Sequence, residues 1–420
     1  MLSITQRKGI KLLMDKEIIP AIGCTEPIAV SLCVAKVSEM LEHRPDKIDV
    51  FLSSNIIKNA MGVGIPGANM IGLPIAIALD ATIGKSELGL EVLRDFDSDD
   101  LEQAKKFIDE DRINIFVKED IAETLNIEVV SSTQIGKVKA IISGAHSFFY
   151  YLEKNGEVFL SDEFKKTYSV KEDLNLNLKM VYDYAHESPI EELNFIYTAA
   201  IMNQEASVIS KNEMHGHNVS QVLAGSNGIS LFGDNLHSKM LIATAGVGDV
   251  RMDGVKMAVM SNSGSGNQGI AATLPILSRA KEIGADKETL IRALVLSNLI
   301  VIYKQYLGRL SALCSCVVAS AGSSCCITYL IGGGYEPITF ATKNMIANIT
   351  GMICDGAKAS CSLKVTSGVS TALLSALMLI KNKVISSQEG IVDEDVDQTI
   401  RNMAEIGKQE CWKQTKLCLV

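Results

Sequence analysis

The chain is short of the residues that mark unfolded or fibrous polypeptides. Only 8 prolines occur in 420 residues, aromatics make up 5%, and no low-complexity tract or internal repeat is visible. Disordered, collagen-like and solenoid architectures are thereby excluded. Positive charge is also scarce: 40 Lys and Arg stand against 49 Asp and Glu, the formal charge is -9, and no basic run appears. Nucleic acid is not an expected partner. No C-x-x-C pair occurs, which argues against a structural zinc site built on paired short-spaced cysteines.

What the chain does have is apolar mass. Hydrophobic residues reach 47% and mean hydropathy is +0.20, on a length greater than one core usually absorbs. A membrane reading therefore has to be tested. Residues 60–79 are uncharged but carry Pro66, Pro74 and several glycines, which would leave backbone groups unpaired in lipid. Residues 310–334 contain four cysteines and five serines beyond position 310 in a small-residue pattern typical of an interior helix, and residues 365–380 are too few to span. Charges interrupt every apolar run of the amino-terminal twenty residues, so export is not indicated. The expectation is a cytoplasmic protein without membrane partners, with an apolar surplus compatible with a homodimer.

Apolar spacing predicts helices over residues 3–18 and 27–41, on either side of the turn Gly23-Cys24-Thr25-Glu26-Pro27, then a strand at Lys47 to Leu52. Residues 53–69, SSNIIKNAMGVGIPGAN, read as a polar, glycine-rich binding loop. Short β-branched and aromatic runs fill residues 113–162, with KNGE at 154–157 as a hairpin turn, so an antiparallel sheet is expected there. Beyond about residue 185 the pattern is helical with no strand. The fold class is α+β: an N-terminal α/β domain over 1–184 with a small antiparallel sheet, a connection near residues 165–191, and a mostly helical catalytic domain over 185–420.

In a reducing compartment the ten cysteines are core filler or chemistry. Six fall between residues 314 and 361. Cys314, Cys354 and Cys361, spaced C-x39-C-x6-C, form a candidate soft-metal pocket whose metal the spacing does not name. Three thiolates on a four-iron cluster would leave one iron open to substrate. Cys33, Cys316, Cys325 and Cys326 read as core filler, Cys411 and Cys418 as incidental. Cys24 precedes a helix start, which lowers a thiol's pKa and would suit a base, a nucleophile or a fourth ligand, although Glu26 would oppose that shift if it faced the sulfur. Gly62-Gly64-Gly67 and Gly264-Gly266-Gly269 share the G-x-G-x-x-G spacing but lack βαβ surroundings, so a nicotinamide site is rejected. The second segment, residues 261–269, still opens a helix, and its free N–H groups with Ser261, Asn262, Ser263, Asn267 and Gln268 suit a small carboxylate. Of six histidines, His43 and His186 read as solvated, His215 and His217 as a surface pair, and His237 as a loop residue. His146, between two apolar strands, is the one that could face a site at the domain junction.

GCTEP at 23–27, KNAMGVGIPG at 58–67, MSNSGSGNQGI at 260–270, GRLSALC at 308–314 and CDGAKASC at 354–361 together resemble the L-cysteine desulfidase family, itself related to the catalytic alpha part of iron-sulfur L-serine dehydratases. The resemblance runs over nearly the whole chain. It departs at Cys325-Cys326, where small residues are expected, and at His146-Ser147 in place of His-Thr. It implies an oxygen-sensitive enzyme with a [4Fe-4S] cluster on Cys314, Cys354 and Cys361, Cys24 as proton acceptor, and conversion of L-cysteine and water to pyruvate, ammonia and hydrogen sulfide without pyridoxal phosphate. Lys58, Asn59 and the 261–268 loop would hold the amino acid, with Lys304 and Arg309 as alternative carboxylate anchors. Competing readings are the same elimination on L-serine, a non-catalytic zinc or redox-sensing protein, and a pyridoxal-phosphate lyase, for which no lysine has a persuasive setting.

Overall fold

A computed structural model describes residues 2–118, 123–161, 174–211, 214–307 and 312–409. The chain begins with α1 (Ile4–Glu17), whose start is fixed by a reciprocal bond pair between Ser3 and Gln6. β1 (Pro20–Ile22), α2 (Thr25–Leu41), β2 (Lys47–Leu52) and α3 (Ser54–Ala60) follow. Next come the short pair β3 (Gly64–Ile65) and β4 (Met70–Ile71), then α4 (Leu73–Ile83) and α5 (Ser98–Asp109). The five runs between residues 113 and 162 become β5 (Ile113–Val117), β6 (Asn126–Ser132), β7 (Lys137–Ser143), β8 (Phe149–Lys154) and β9 (Glu157–Ser161).

These strands and β2 form one six-stranded sheet in the order β5-β2-β6-β7-β8-β9. Every neighbouring pair is antiparallel except β2 with β5, which is parallel because α5 lies in the connection leading into β5. Burial alternates along β6 and β7, and the inward residues Ile127, Val129, Val138 and Ala140 meet α2. Asn155 and Gly156 both have positive φ, the signature of the tight turn that joins β8 to β9 at Lys154 and Glu157.

The second half is helical, with long helices at Leu236–Met252, Gly266–Ile283, Lys287–Leu307, Ser315–Leu330, Tyr335–Ile349, Cys361–Ile380 and Val396–Gln409. Several expectations are corrected. The segment expected as a loop at 53–69 is helical over its first half, as α3, because Ile56 and Ile57 bury against the first core. A strand does occur beyond residue 185: β10 (Ala258–Met260) pairs antiparallel with β1. Leu178–Glu187 and Ile190–Leu193 are helices within the stretch expected as connection. The first helix departs from a division at 184, since Ile10, Leu13 and Met14 of α1 pack with Leu294, Ile300 and other residues of the helical half. One helix among the described residues, Cys361–Ile380, is long and apolar enough by length and composition to cross a membrane, four residues longer than the run judged too short. It packs on the helices Ser315–Leu330 and Leu236–Met252.

Candidate functional site

A cavity of about 340 Å3 lies where the two halves meet, and Cys24, Cys314, Cys354 and Cys361 all line it. Backbone pairing puts two of these side by side. Cys314 N–H donates to the Met352 carbonyl at 2.9 Å and Cys354 N–H to the Ala312 carbonyl at 2.8 Å, a short antiparallel ladder through Leu313 and Ile353. Gly356 then turns the chain with φ +100°, at a point where any side chain would overlap the Lys58 carbonyl, and Cys361 opens the next helix. Burial, together with the charges of Cys314 and Cys354, pushes the Cys361 thiol up to about 11, and burial raises Cys354. Cys316, expected as core filler, lines the cavity instead, with its Sγ 3.0 Å from that of Cys314. Cys33, Cys325 and Cys326 are buried in the cores, and Cys411 and Cys418 lie outside the described residues.

These donors suit the iron-sulfur cluster that the sequence resemblance implies. Among the described residues no three His, Cys, Asp or Glu side chains meet at the distances one ion requires. Thiolates of a cluster bind separate irons rather than one shared ion, and three cysteines line this one cavity. Four helix starts also converge here: Cys24 caps α2, Ser265 caps Gly266–Ile283, Cys314 caps Ser315–Leu330, and Cys361 begins its own helix. Their partial positive charge favours thiolates and a bound anion.

Cys24, at the N-cap of α2, packs with Val63, Met252 and Cys361. Its Sγ donates to Glu26 Oε2 at 3.1 Å, and Asn59 Nδ2 donates to Glu26 Oε1 at 3.2 Å. The helix start does not lower this thiol as expected. Burial first and the Glu26 charge second raise Cys24 well above its ordinary value, while Arg251 pulls in the opposite direction. Asn59 also accepts from Cys354 Sγ at 3.9 Å through Oδ1, so it bridges the Cys24 and Cys354 sides. Lys58 is buried beside it, and its charge draws Cys354 down.

The loop at 261–265 is pinned between the halves. Ser261 N–H donates to the Ile19 carbonyl and Ser263 N–H to the Glu17 carbonyl, both at 2.9 Å, continuing the pairing of β1 with β10. Thr25 Oγ1 donates to the Gly264 carbonyl and ties α2 to the same loop. The glycine spacing noted in the sequence has a packing cause. Side chains at Gly264, Gly266 and Gly269 would overlap His146 Nδ1, Arg251 Nε and the Met260 carbonyl, respectively. Ser263, Asn267, Gln268 and His146 line the cavity. Ser261 and Asn262 do not: Ser261 Oγ donates to the Ile19 carbonyl at 2.6 Å, and Asn262 Nδ2 to Asn298 Oδ1 at 2.9 Å, so both hold the loop in shape. Lys304 is buried in the helical half, lowered to about 8 by burial, and is not among the cavity-lining residues; Arg309 lies outside those described.

Among the cavity residues that escaped sequence reasoning as site residues, three bear on the chemistry. Glu26 was visible only as a neighbour of Cys24, Cys316 only as one apolar cysteine among several, and Arg251 not at all. The one available signal for Arg251 was indirect, the side-chain-free Gly266 that makes room for it.

A family model described as serine dehydratase alpha chain matches residues 87–419. Among curated relatives, a UPF0597 protein of Bacteroides fragilis is 55% identical over 407 residues, covering 96% of this chain and 95% of its own length. One from Bacteroides thetaiotaomicron is 54% identical over 418 residues, covering 99% and 97%. A more distant UPF0597 protein, from Aeromonas hydrophila, is 37% identical over 402 residues, covering 94% and 92%. With four-fifths of its length matched, the chain belongs to the serine dehydratase alpha chain family.

Proposed function

We propose that the protein is an iron-sulfur lyase that eliminates the β-substituent of a small L-amino acid, with L-cysteine as substrate and pyruvate, ammonia and hydrogen sulfide as products. The observation that supports this reading is a proton-accepting candidate, Cys24, lining the same cavity as three further cysteines suited to a cluster. Held by Cys314, Cys354 and Cys361, a four-iron cluster supplies, when bound, one iron with an open position that acts as a Lewis acid toward the leaving group.

The chain's own groups manage the proton. Glu26 Oε2 already accepts from Cys24 Sγ. Transfer of that proton leaves a thiolate beside a neutral carboxyl, a pairing that the nearby Arg251 charge favours. Cys24 Sγ then takes the α-proton of the substrate. The C–H electron pair becomes the new carbon–carbon π bond and the C–S pair departs with sulfur. The resulting 2-aminoacrylate tautomerises to the imine, and water hydrolyses it to pyruvate and ammonia. Leu125, Met252, Leu313 and Ala357 give the cavity an apolar flank that limits water during the transfer.

The same elimination on L-serine is the second reading, favoured by the description of the matching family. Steady-state pyruvate formation from each amino acid by anaerobically reconstituted protein separates the two. Higher kcat/KM on L-cysteine with stoichiometric sulfide release is expected. A preference for L-serine would retain the lyase and remove the desulfidase. Near-stoichiometric zinc with no turnover of either amino acid would contradict both.

A further inference from the structure

One charged group in the cavity neither gives nor takes the proton and acts on its path only through its charge. Arg251, near the end of the helix Leu236–Met252, is 2% exposed and lines the cavity. Its Nη1 donates to Asn267 Oδ1 at 2.9 Å and to Met252 Sδ at 3.3 Å, both neutral, and its Nε is buried without an acceptor. Three acids near it in the cavity or in the chain each give an oxygen to another group. Glu26 accepts from Cys24 and Asn59, Asp249 Oδ2 from the Ser220 N–H at 3.0 Å, and Asp253 Oδ2 lies 3.3 Å from His215 Nδ1. A guanidinium removed from water without an anion is destabilising, so a site built this way is completed by an anionic ligand.

We propose that Arg251 is the carboxylate anchor of the site: its guanidinium binds the α-carboxylate of a small amino acid and thereby sets the α-carbon beside Cys24. The identity of the amino acid rests on the lyase reading; the recognition of a carboxylate does not. Two cations touch the cavity, and their positions divide the work. Lys58 lies against Gly356 in the loop between Cys354 and Cys361, whereas Arg251 bonds to the sulfur of Met252, which packs with Cys24. The carboxylate is attached to the carbon that loses its proton to Cys24, so its partner has to be the cation on that side. Asn267 holds the guanidinium from the first turn of Gly266–Ile283, and the absence of a side chain at Gly266 lets the two approach.

The test uses the anaerobically reconstituted full chain as wild type, Arg251→Gln and Arg251→Lys. KM and kcat for L-cysteine are measured beside calorimetric binding of L-alanine, which has no leaving group, and of L-alaninamide, which has no carboxylate. Wild type is expected to bind L-alanine about 10- to 100-fold more tightly than the amide. R251Q should raise KM and the L-alanine Kd by a similar factor, with kcat changed far less, and should abolish the acid-over-amide preference. R251K should recover part of it. The alanine titration stands without turnover, so a failed lyase assignment leaves it readable. Equal binding of acid and amide by wild type would overturn the proposal, with no variant required. So would a full acid preference retained in R251Q, or a change confined to the pH dependence of Cys24 alkylation, which would mean that Arg251 acts through that thiol alone.

Discussion

At the scale of single residues, the pair Cys24 and Glu26 decides how the site behaves before substrate arrives. Burial and the Glu26 charge both favour the protonated thiol, so the free protein should present Cys24 as a poor nucleophile near neutrality. Iodoacetamide labelling of Cys24, followed by peptide mass spectrometry, should be slow at pH 7 and accelerate as pH rises. Glu26→Gln removes the neighbouring negative charge, so its labelling profile should move to lower pH. An unchanged profile would show that Glu26 does not control the thiol. In turnover, Cys24→Ser should lose about 10²- to 10⁴-fold in kcat, the range for removing a general base, with iron content equal to wild type. Retained kcat would remove Cys24 from the proton path.

Elements matter because the site is assembled from helix starts and glycine contacts. Gly264 has φ +78°, and a side chain there would overlap His146, whereas Gly284 has φ +61° with open space around it. Gly284→Ala should therefore cost about 1–2 kcal/mol from backbone strain alone, and Gly264→Ala distinctly more. Chemical denaturation of both variants checks the order; equal losses would show that the His146 contact carries no weight. A second test concerns α4. Asp80 is fully buried there, both its oxygens lack a partner, and Ser31 Oγ gives its proton to the Ala76 carbonyl instead. Burial, with the Glu39 charge adding, holds the Asp80 carboxyl well above the usual carboxylate range. A raised folded-state value means that stability is full below the unfolded value near 4 and declines as pH climbs toward the folded one. Asp80→Asn should flatten the thermal midpoint above about pH 4 relative to wild type. Parallel profiles would contradict the buried-acid assignment.

Over the whole molecule, what the sequence disclosed and what it hid have different physical causes. The strands β2 and β5 to β9 were legible because one face of the sheet is buried by α2, which imposes alternation on β6 and β7. β10 was not, since three residues held by β1 and by Asn203 carry no period of their own. α1 reads as a helix from its spacing, but its partners in the helical half are set by tertiary packing. Cys24, Cys314, Cys354 and Cys361 stand out through their motifs, while their meeting in one cavity depends on a ladder between residues 312–314 and 352–354 that no local pattern announces. Arg251 was hidden for the same reason, being one arginine at the end of an apolar helix until the fold sets it against Asn267. If Cys314, Cys354 and Cys361 together hold a cluster at this junction, anaerobic reconstitution should load iron and acid-labile sulfide, both measured per chain. Wild type should bind about four of each, and each single Cys→Ser variant distinctly less. Wild-type protein with zinc and no labile sulfide, or variants as fully loaded as wild type, would contradict it.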